Sequence, residues 1–240
     1  MDPKPGPRTA FWPTMLTVAA MILLIGLGGW QLYRLNWKLG LVAEIESRTT
    51  EPAAPLPAGR IDPDAWAYRP VTLRGRFDHG REVHVFAPSR RGNVGYHVYT
   101  AFDRADGSGR VIVNRGWVPT GRKDPESRAE GQIDGDTEVK AYVRRGSRAG
   151  AFKPDNEVEK NIWFHPTLPM MADAFGMKTP ATYLEVKSTN VPGGLPVGGQ
   201  TRLQLRNNHL AYALTWFSLA IAFAVIYLIW RRHLTRQPKR

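Results

Sequence analysis

The fold is decided by an uncharged stretch near the start of the chain, FWPTMLTVAAMILLIGLGGWQL, which covers residues 11–32. As a helix, these 22 residues rise about 33 Å, enough to cross a hydrocarbon core of about 30 Å. A second uncharged stretch, LAYALTWFSLAIAFAVIYLIW, covers residues 210–230. Aromatic residues lie at the ends of both, as is typical of rings at lipid headgroups. The sequence therefore predicts two transmembrane helices, one near each end.

Lys and Arg predict the orientation of these helices, because cytoplasmic flanks are rich in both. Five basic residues follow the second stretch, whereas Arg202 and Arg206 precede it, so both termini are expected in the cytoplasm. A cleaved signal peptide is the alternative for the first stretch, but its apolar part is too long and no small-x-small site precedes Trp30. The predicted segments are a cytoplasmic N-terminus (1–10), a transmembrane helix (11–32), an extracytoplasmic β-rich domain (33–208), a second transmembrane helix (209–230) and a basic cytoplasmic tail (231–240).

The composition narrows the possible functions. The chain carries 33 basic and 21 acidic residues, a formal charge of +12, and no cysteine. Disulfides and thiolate metal sites are therefore excluded. A basic chain raises the question of nucleic-acid binding, but the basic tail is better explained as a topology signal. We therefore expect membrane lipid, and no nucleic acid, among its partners.

Between the two stretches the sequence favours β structure. Short runs rich in Val, Ile, Tyr and Phe are separated by turn signals such as Asp106-Gly107-Ser108-Gly109, and this pattern indicates antiparallel strands. One short helix is expected at 167–175, ended by Gly176. The predicted fold class is membrane-anchored α+β, with two transmembrane helices flanking a mainly antiparallel sheet or small barrel. Strands are expected at 71–77, 82–87, 96–102, 110–117, 138–144 and 183–186, with a turn at Asp78-His79-Gly80.

The middle segment shows no enzyme motif: there is no nucleophile elbow, phosphate-binding Gly loop or HExxH pattern. We therefore predict no catalytic residues. His84 and His97 lie on neighbouring predicted strands, where solvated histidines are more common than a metal site. His165 with Met170 and Met171 is either a copper(I) site or, more simply, two core methionines beside a histidine.

His209 opens the second apolar stretch and is the strongest candidate site residue, with Asn208 as the expected N-cap. His209, Tyr212 and Trp216 share one helical face, and a porphyrin needs such an axial nitrogen with flat apolar walls. Its propionates need cations, for which Arg34, Lys38 and Arg206 are candidates near this end of both stretches. An interfacial histidine among belt aromatics is the alternative interpretation. The residues alone leave both open.

Four separated runs resemble the surfeit-locus family of cytochrome c oxidase assembly factors. They are GWQLYRLNWK (29–38), RPVTLRGRF (69–77), VNRGWVP (113–119) and NNHLAYALTWF (207–217). The resemblance covers both apolar stretches and the first half of the middle segment, and it fades between about residues 124 and 187. The basic, Ala- and Arg-rich composition without a transit peptide predicts a bacterial member, with the domain in the periplasm.

The resemblance implies a non-enzymatic factor that helps place haem a in the catalytic subunit of cytochrome c oxidase, with haem a synthase as a further candidate partner. It implies that His209 is a transient ligand of the haem iron and that Trp30 lies near the same site. Tyr212, Trp216, Arg34, Lys38 and Arg206 complete the expected binding site. Two alternatives remain: a cofactor-free scaffold that stabilises oxidase assembly intermediates, and a copper carrier through His165, Met170 and Met171.

Overall fold

A computed structural model describes residues 8–146, 154–188, 190–200 and 207–236. Within these residues the chain forms two compact units, Glu44–Leu203 and a unit made of the segments on either side of it. The elements, in chain order, are α1 (Arg8–Thr49), β1 (Ala54–Pro55), α2 (Pro63–Trp66), β2 (Pro70–Phe86), β3 (Gly95–Arg104), β4 (Arg110–Pro119), β5 (Thr137–Arg145), α3 (Leu168–Phe175), β6 (Thr182–Val186) and α4 (His209–Arg236). Short 3₁₀ turns lie at Thr120–Arg122, Pro125–Gly131, Val158–Lys160 and Pro192–Gly194.

Helices α1 and α4 contain the two uncharged stretches and pair antiparallel. Gln31, late in α1, bonds to His209 at the start of α4, and Thr14, early in α1, bonds to Tyr227 late in α4. Both helices are long and apolar enough to cross a membrane. Only 6% and 11% of their most apolar windows are buried by protein, unlike the core helices of a soluble protein. The exposed side chains of both helices are largely apolar, as in helices that face lipid.

The two hydrogen bonds that join the helices lie 17 residues apart on α1 and 18 apart on α4. At 1.5 Å per residue, both intervals rise about 26 Å, close to the thickness of a hydrocarbon core. The Gln31–His209 contact and the Thr14–Tyr227 contact therefore lie near opposite ends of the apolar region. Helix α1 continues beyond the predicted span to Thr49, because no proline or glycine pair interrupts residues 33–49.

The second unit is a closed β barrel. Strand β2 pairs antiparallel with both β3 and β5, β4 pairs antiparallel with β3 and parallel with β6, and β6 pairs antiparallel with β5. The circuit β2-β3-β4-β6-β5 thus returns to β2, and the short β1 adds a parallel edge. This confirms the predicted fold class, with the barrel rather than an open sheet. Closure removes sheet edges that would otherwise attract other strands.

Strand β2 differs from prediction at Asp78-His79-Gly80, where a turn was expected. The strand is continuous, but the register shifts between Phe77 and Glu82. Asp78-His79-Gly80 form a bulge within β2 rather than a turn between two strands, because the segments before and after them both pair with β3. The bulge changes which face of β2 points inward: Val71 and Leu73 join one core cluster, and Val83 and Val85 join the other.

Two core clusters follow from this geometry. The first draws residues from all five barrel strands, including Phe102, Val113 and Leu184, and so fills the barrel. The second lies outside it, between the sheet and α3. Helix α3 buries its residues at helical spacing, and Gly176 ends it with a positive φ of 63°, as the sequence predicts. The buried residues of α3 are Leu168, Met171, Ala172 and Phe175.

Candidate functional site

The contact between His209 and Gln31 is the centre of the candidate site. His209 Nδ1 lies 2.7 Å from Gln31 Oε1. An amide oxygen only accepts hydrogen bonds, so the ring nitrogen donates and Nδ1 carries the proton. In the neutral ring, the lone pair is then on Nε2. Gln31 is 9% exposed, whereas His209 is half-buried, so the imidazole is both fixed and accessible.

The predicted aromatic walls lie on one flank of this contact. Gly28 and Phe217 touch on the other flank, since a Cβ built on Gly28 would lie 2.6 Å from Phe217 Cε1. With 3.6 residues per turn, Trp30 lies on the side of Gln31 opposite Gly28. Tyr212 and Trp216 lie on the side of His209 opposite Phe217. Helical spacing therefore places Trp30, Tyr212 and Trp216 on the same flank of the helix pair as His209.

Along the helix axis, this flank changes from a charged side chain at one end to aromatic side chains at the other. Helical geometry puts Arg34 on the side of Trp30, about 4.5 Å beyond Gln31 and away from the apolar stretch. Tyr212 and Trp216 lie about 4.5 and 10 Å from His209 in the other direction. Tyr212 is 54% exposed and Trp30 is 53% exposed. The flank offers a cation at one end and open aromatic surface at the other.

The three predicted cations differ in what they contact. The guanidinium of Arg34 lies over the Trp37 ring, 4.5 Å from its centroid, which leaves its N–H edges able to donate. Lys38 is half-buried. Arg206 lies outside the described residues. Helical spacing thus places Arg34 on the same flank as Trp30, and its stacking on Trp37 is a contact that the sequence did not predict.

Small residues allow α1 and α4 to approach closely at this site. Gly28 meets Phe217, and Ala213 and Ala220 are buried. The sequence indicates two small-residue pairs for such contact, Ser218 with Ala222 and Ala220 with Ala224. The second expectation agrees with the burial of Ala220, but Ser218 and Ala222 are exposed, so the first is wrong. Those two residues lie on the far side of α4, where periodicity alone does not distinguish a helix contact from a lipid contact.

Asn208 occupies the N-cap position of α4, as predicted, because its backbone carbonyl accepts the first hydrogen bond of the helix from Tyr212 N at 3.2 Å. The side-chain contact at this end comes from the preceding residue: Asn207 Oδ1 accepts a hydrogen bond of 3.3 Å from the backbone N–H of His209. The capping contact satisfies one of the free N–H groups at the helix start. It fixes the first turn of α4, which carries His209.

A second polar cluster lies in the barrel unit, around Glu82. Its side chain is 2% exposed and accepts from Arg115 at 3.2 Å, from His84 at 3.1 Å, and from Arg128. Burial alone would raise the pKa of Glu82, but the hydrogen bonds from His84 and Arg128 and the charges of both arginines outweigh it and lower the pKa to about 2. Burial lowers the pKa of Arg115 to about 10. A carboxylate held this firmly in its charged form is suited to structure rather than to proton transfer.

The other predicted metal candidates show no metal geometry. Among the described residues, no group of three His, Asp or Glu side chains is placed to hold a metal ion. His84 is buried at 4% exposure, not solvated, and bonds to Glu82. His97 Nδ1 accepts from Asn114 at 3.2 Å. Each histidine is therefore engaged within the barrel wall.

His165 and its two methionines lie beside α3. His165 Nδ1 bonds to Thr167 Oγ1 at 2.7 Å, while its Nε2 is buried without a hydrogen-bond partner among the described residues. Met171 is fully buried, and Met170 packs against the same cluster. These contacts agree with the interpretation of the methionines as core residues.

Together, the fold and the site define a protein with two membrane-compatible helices, a closed β barrel between them, and a histidine held at the helix contact. A sequence model of the SURF1 family matches residues 18–221. The chain is 38% identical over 227 residues to Surfeit locus protein 1 of Mus musculus, covering 89% of this chain and 73% of that protein.

Two further relatives give the same result. Identity is 38% over 232 residues to Surfeit locus protein 1 of Homo sapiens, covering 90% of this chain and 76% of that protein. It is 34% over 229 residues to a SURF1-like protein of Drosophila melanogaster, covering 88% and 74%. The chain therefore belongs to the SURF1 family, as the four sequence runs indicate.

Proposed function

We propose that this chain is a non-enzymatic assembly factor for haem–copper cytochrome c oxidase, which holds haem a at the outer membrane surface for insertion into the catalytic subunit. Membership of the SURF1 family supports the assembly role through the resemblance described above. The haem role rests on the site itself. Haem a, as the cargo, brings an iron that takes an imidazole ligand, propionates, and an isoprenoid tail.

The observation that carries the proposal is the 2.7 Å hydrogen bond between His209 Nδ1 and Gln31 Oε1. Histidines that bind metal through one ring nitrogen almost always donate from the other nitrogen to an oxygen acceptor. Here the proton lies on Nδ1, so His209 presents Nε2 as a ligand. An interfacial histidine without a ligand role would not need its ring fixed by a buried side chain from the other helix.

The flank beside His209 fits the rest of such a cargo. Trp30, Tyr212 and Trp216 offer flat apolar surface against which a macrocycle packs. Arg34 lies at the polar end, where its N–H edges are suited to a propionate; Lys38 and Arg206 are the further candidates. The apolar end opens toward lipid, which would hold an isoprenoid tail. His209 would hold the iron through one ring nitrogen, and release would require a competing ligand in the oxidase.

The proposed location is a bacterial inner membrane, with both termini in the cytoplasm and the barrel in the periplasm. Arg231 and Arg232 follow the apolar part of α4 directly and are exposed, in keeping with a cytoplasmic flank rich in basic residues. His209 and Gln31 then lie at the outer end of the helix pair. Haem a synthase is the proposed supplier and the oxidase catalytic subunit the proposed recipient.

A cofactor-free scaffold is the second candidate function, and one observation favours it. The end of β2 and the loop that joins it to β3 present two large apolar side chains to solvent, Phe86 at 45% exposure and Val94 at 61%. Arg90 and Arg91 lie in the same loop and are exposed. Apolar residues with arginines are enriched at protein interfaces. A scaffold would use this loop, and it would not require His209.

The two functions are separated by the visible spectrum of the full-length protein, produced in cells that make haem a and purified in mild detergent. We expect a Soret band that His209→Ala abolishes or shifts, because the iron loses its imidazole. His233→Ala is the matched control, since His233 is exposed near the far end of α4, and it should leave the band unchanged. A wild-type protein without haem, or a band unaffected by His209→Ala, would reject the haem role.

A further inference from the structure

We infer that Gln31 is the positioning residue that fixes the tautomer and orientation of His209 and so sets the strength of its bond to iron. This inference rests on the proposed function and deepens it. Gln31 Oε1 accepts from His209 Nδ1. Its effect would pass through the imidazole.

The chemistry of the two groups gives the direction of the effect. A neutral imidazole has one protonated nitrogen and one lone pair, and a hydrogen bond accepted from the protonated nitrogen makes the other nitrogen more basic. Gln31 Oε1 is such an acceptor at 2.7 Å. Without it, the Nδ1 proton would lose its partner, and the ring could turn or exchange tautomers.

The position of Gln31 in the helix pair also supports a role in orienting His209. It is a buried amide within an apolar helix, and polar side chains in such helices face a partner helix or a functional site. Its side chain reaches a residue 178 positions away in the sequence. Gly28, one turn earlier, lets Phe217 approach α1 and so keeps Gln31 within reach of His209.

The test uses the full-length protein loaded with haem a during production, in wild-type form and as Gln31→Leu and Gln31→Glu. Leucine fills similar space but accepts no hydrogen bond, whereas glutamate restores an acceptor with equal or greater strength. The readouts are the iron–histidine stretching frequency of the ferrous haem by resonance Raman spectroscopy, its midpoint potential, and the dissociation constant of haem a. Asn36→Leu is the matched control, because Asn36 is an exposed amide on the same helix.

In Gln31→Leu we expect a lower stretching frequency, a higher midpoint potential, and haem a binding weakened about 10- to 100-fold. Gln31→Glu should recover the affinity and bring the frequency to or above the wild-type value. The inference is overturned if Gln31→Leu keeps the wild-type frequency and affinity, or if both variants lose binding equally, which would mean that only packing matters. If His209→Ala binds haem a as well as the wild type does, the proposed function itself fails. This result can be told apart from a failure of the Gln31 inference, because it is measured on a variant that keeps Gln31.

Discussion

At the scale of single residues, Glu82 and its partners form a buried cluster of charges in the barrel. Arg128 is 1% exposed and Glu82 is 2% exposed at the side chain. Removing one partner of a buried ion pair leaves an uncompensated charge, which costs roughly 3–5 kcal/mol. We therefore expect Glu82→Gln to lower the free energy of unfolding by about that amount, as measured by urea denaturation in detergent.

The control for Glu82→Gln is the exposed pair of Arg76 and Asp136, whose side chains are 68% and 63% exposed. Asp136→Asn should cost under about 1 kcal/mol, because water screens the pair. The pKa of Glu82 is lowered to about 2 in the folded protein, below its value in the unfolded chain of about 4.5. The stability that the Glu82 carboxylate contributes is therefore fully present above about pH 4.5 and is lost as the pH falls toward 2. The role given to Glu82 would be contradicted if Glu82→Gln and Asp136→Asn lost the same free energy of unfolding. It would also be contradicted if Glu82→Gln lost stability at low pH to the same extent as the wild type.

Sequence alone predicts part of the residue-scale picture. His209 stands out because an imidazole at the edge of an apolar stretch has few structural uses, and its neighbours at helical spacing are aromatic. Gln31 was not predicted as its partner. The signal that could have found Gln31 is an amide within an otherwise apolar helix end. Its pairing with His209 depends on the register between two distant helices, which no local pattern encodes.

At the scale of elements, Gly28 is the point of closest approach that the glycines make between α1 and α4. A Cβ on Gly28 would lie 2.6 Å from the Phe217 ring, whereas a Cβ on Gly29 would meet nothing within 4 Å. We expect Gly28→Val to push the helices apart at a cost of about 1–3 kcal/mol, as overpacking does elsewhere. The Gln31–His209 bond would lengthen, so haem content should fall as well.

Gly29→Val is the matched control for Gly28→Val, because it adds the same bulk on an open face of the same helix. Thermal unfolding followed by far-UV circular dichroism, together with haem content per chain, measures both effects. If Gly29→Val is as damaging as Gly28→Val, the change acts through helix propensity or lipid contact rather than through Phe217.

The alternation of apolar and polar residues predicts some of the strands and their connections, but not all of them. The hairpin of β3 and β4 and the helix α3 follow from alternation, turn residues and the terminal Gly176. The bulge in β2 does not, because Asp78-His79-Gly80 has the composition of a turn and only the pairing on both sides of it shows otherwise. The parallel contact of β4 with β6 joins Val113 to Leu184, and such distant pairing leaves no local trace.

At the scale of the whole molecule, the chain combines a helix pair whose surface suits lipid with a barrel that has its own filled core. The sequence predicts this division because the uncharged stretches contrast with the β-rich middle. The predicted boundaries at residues 32/33 and 208/209 mark the ends of the apolar stretches and stay predictions. Closure of the barrel could not be predicted, since an open sheet with the same strands has the same alternation.

The central claim is that His209 ligates the iron of haem a at the outer end of the helix pair. Pulsed EPR of the ferric haem complex, prepared with ¹⁵N-histidine throughout the protein, measures that bond directly. We predict a strongly coupled imidazole ¹⁵N in the wild type that disappears in His209→Ala. A wild-type spectrum without histidine coupling, or the same coupling in His209→Ala, would contradict it.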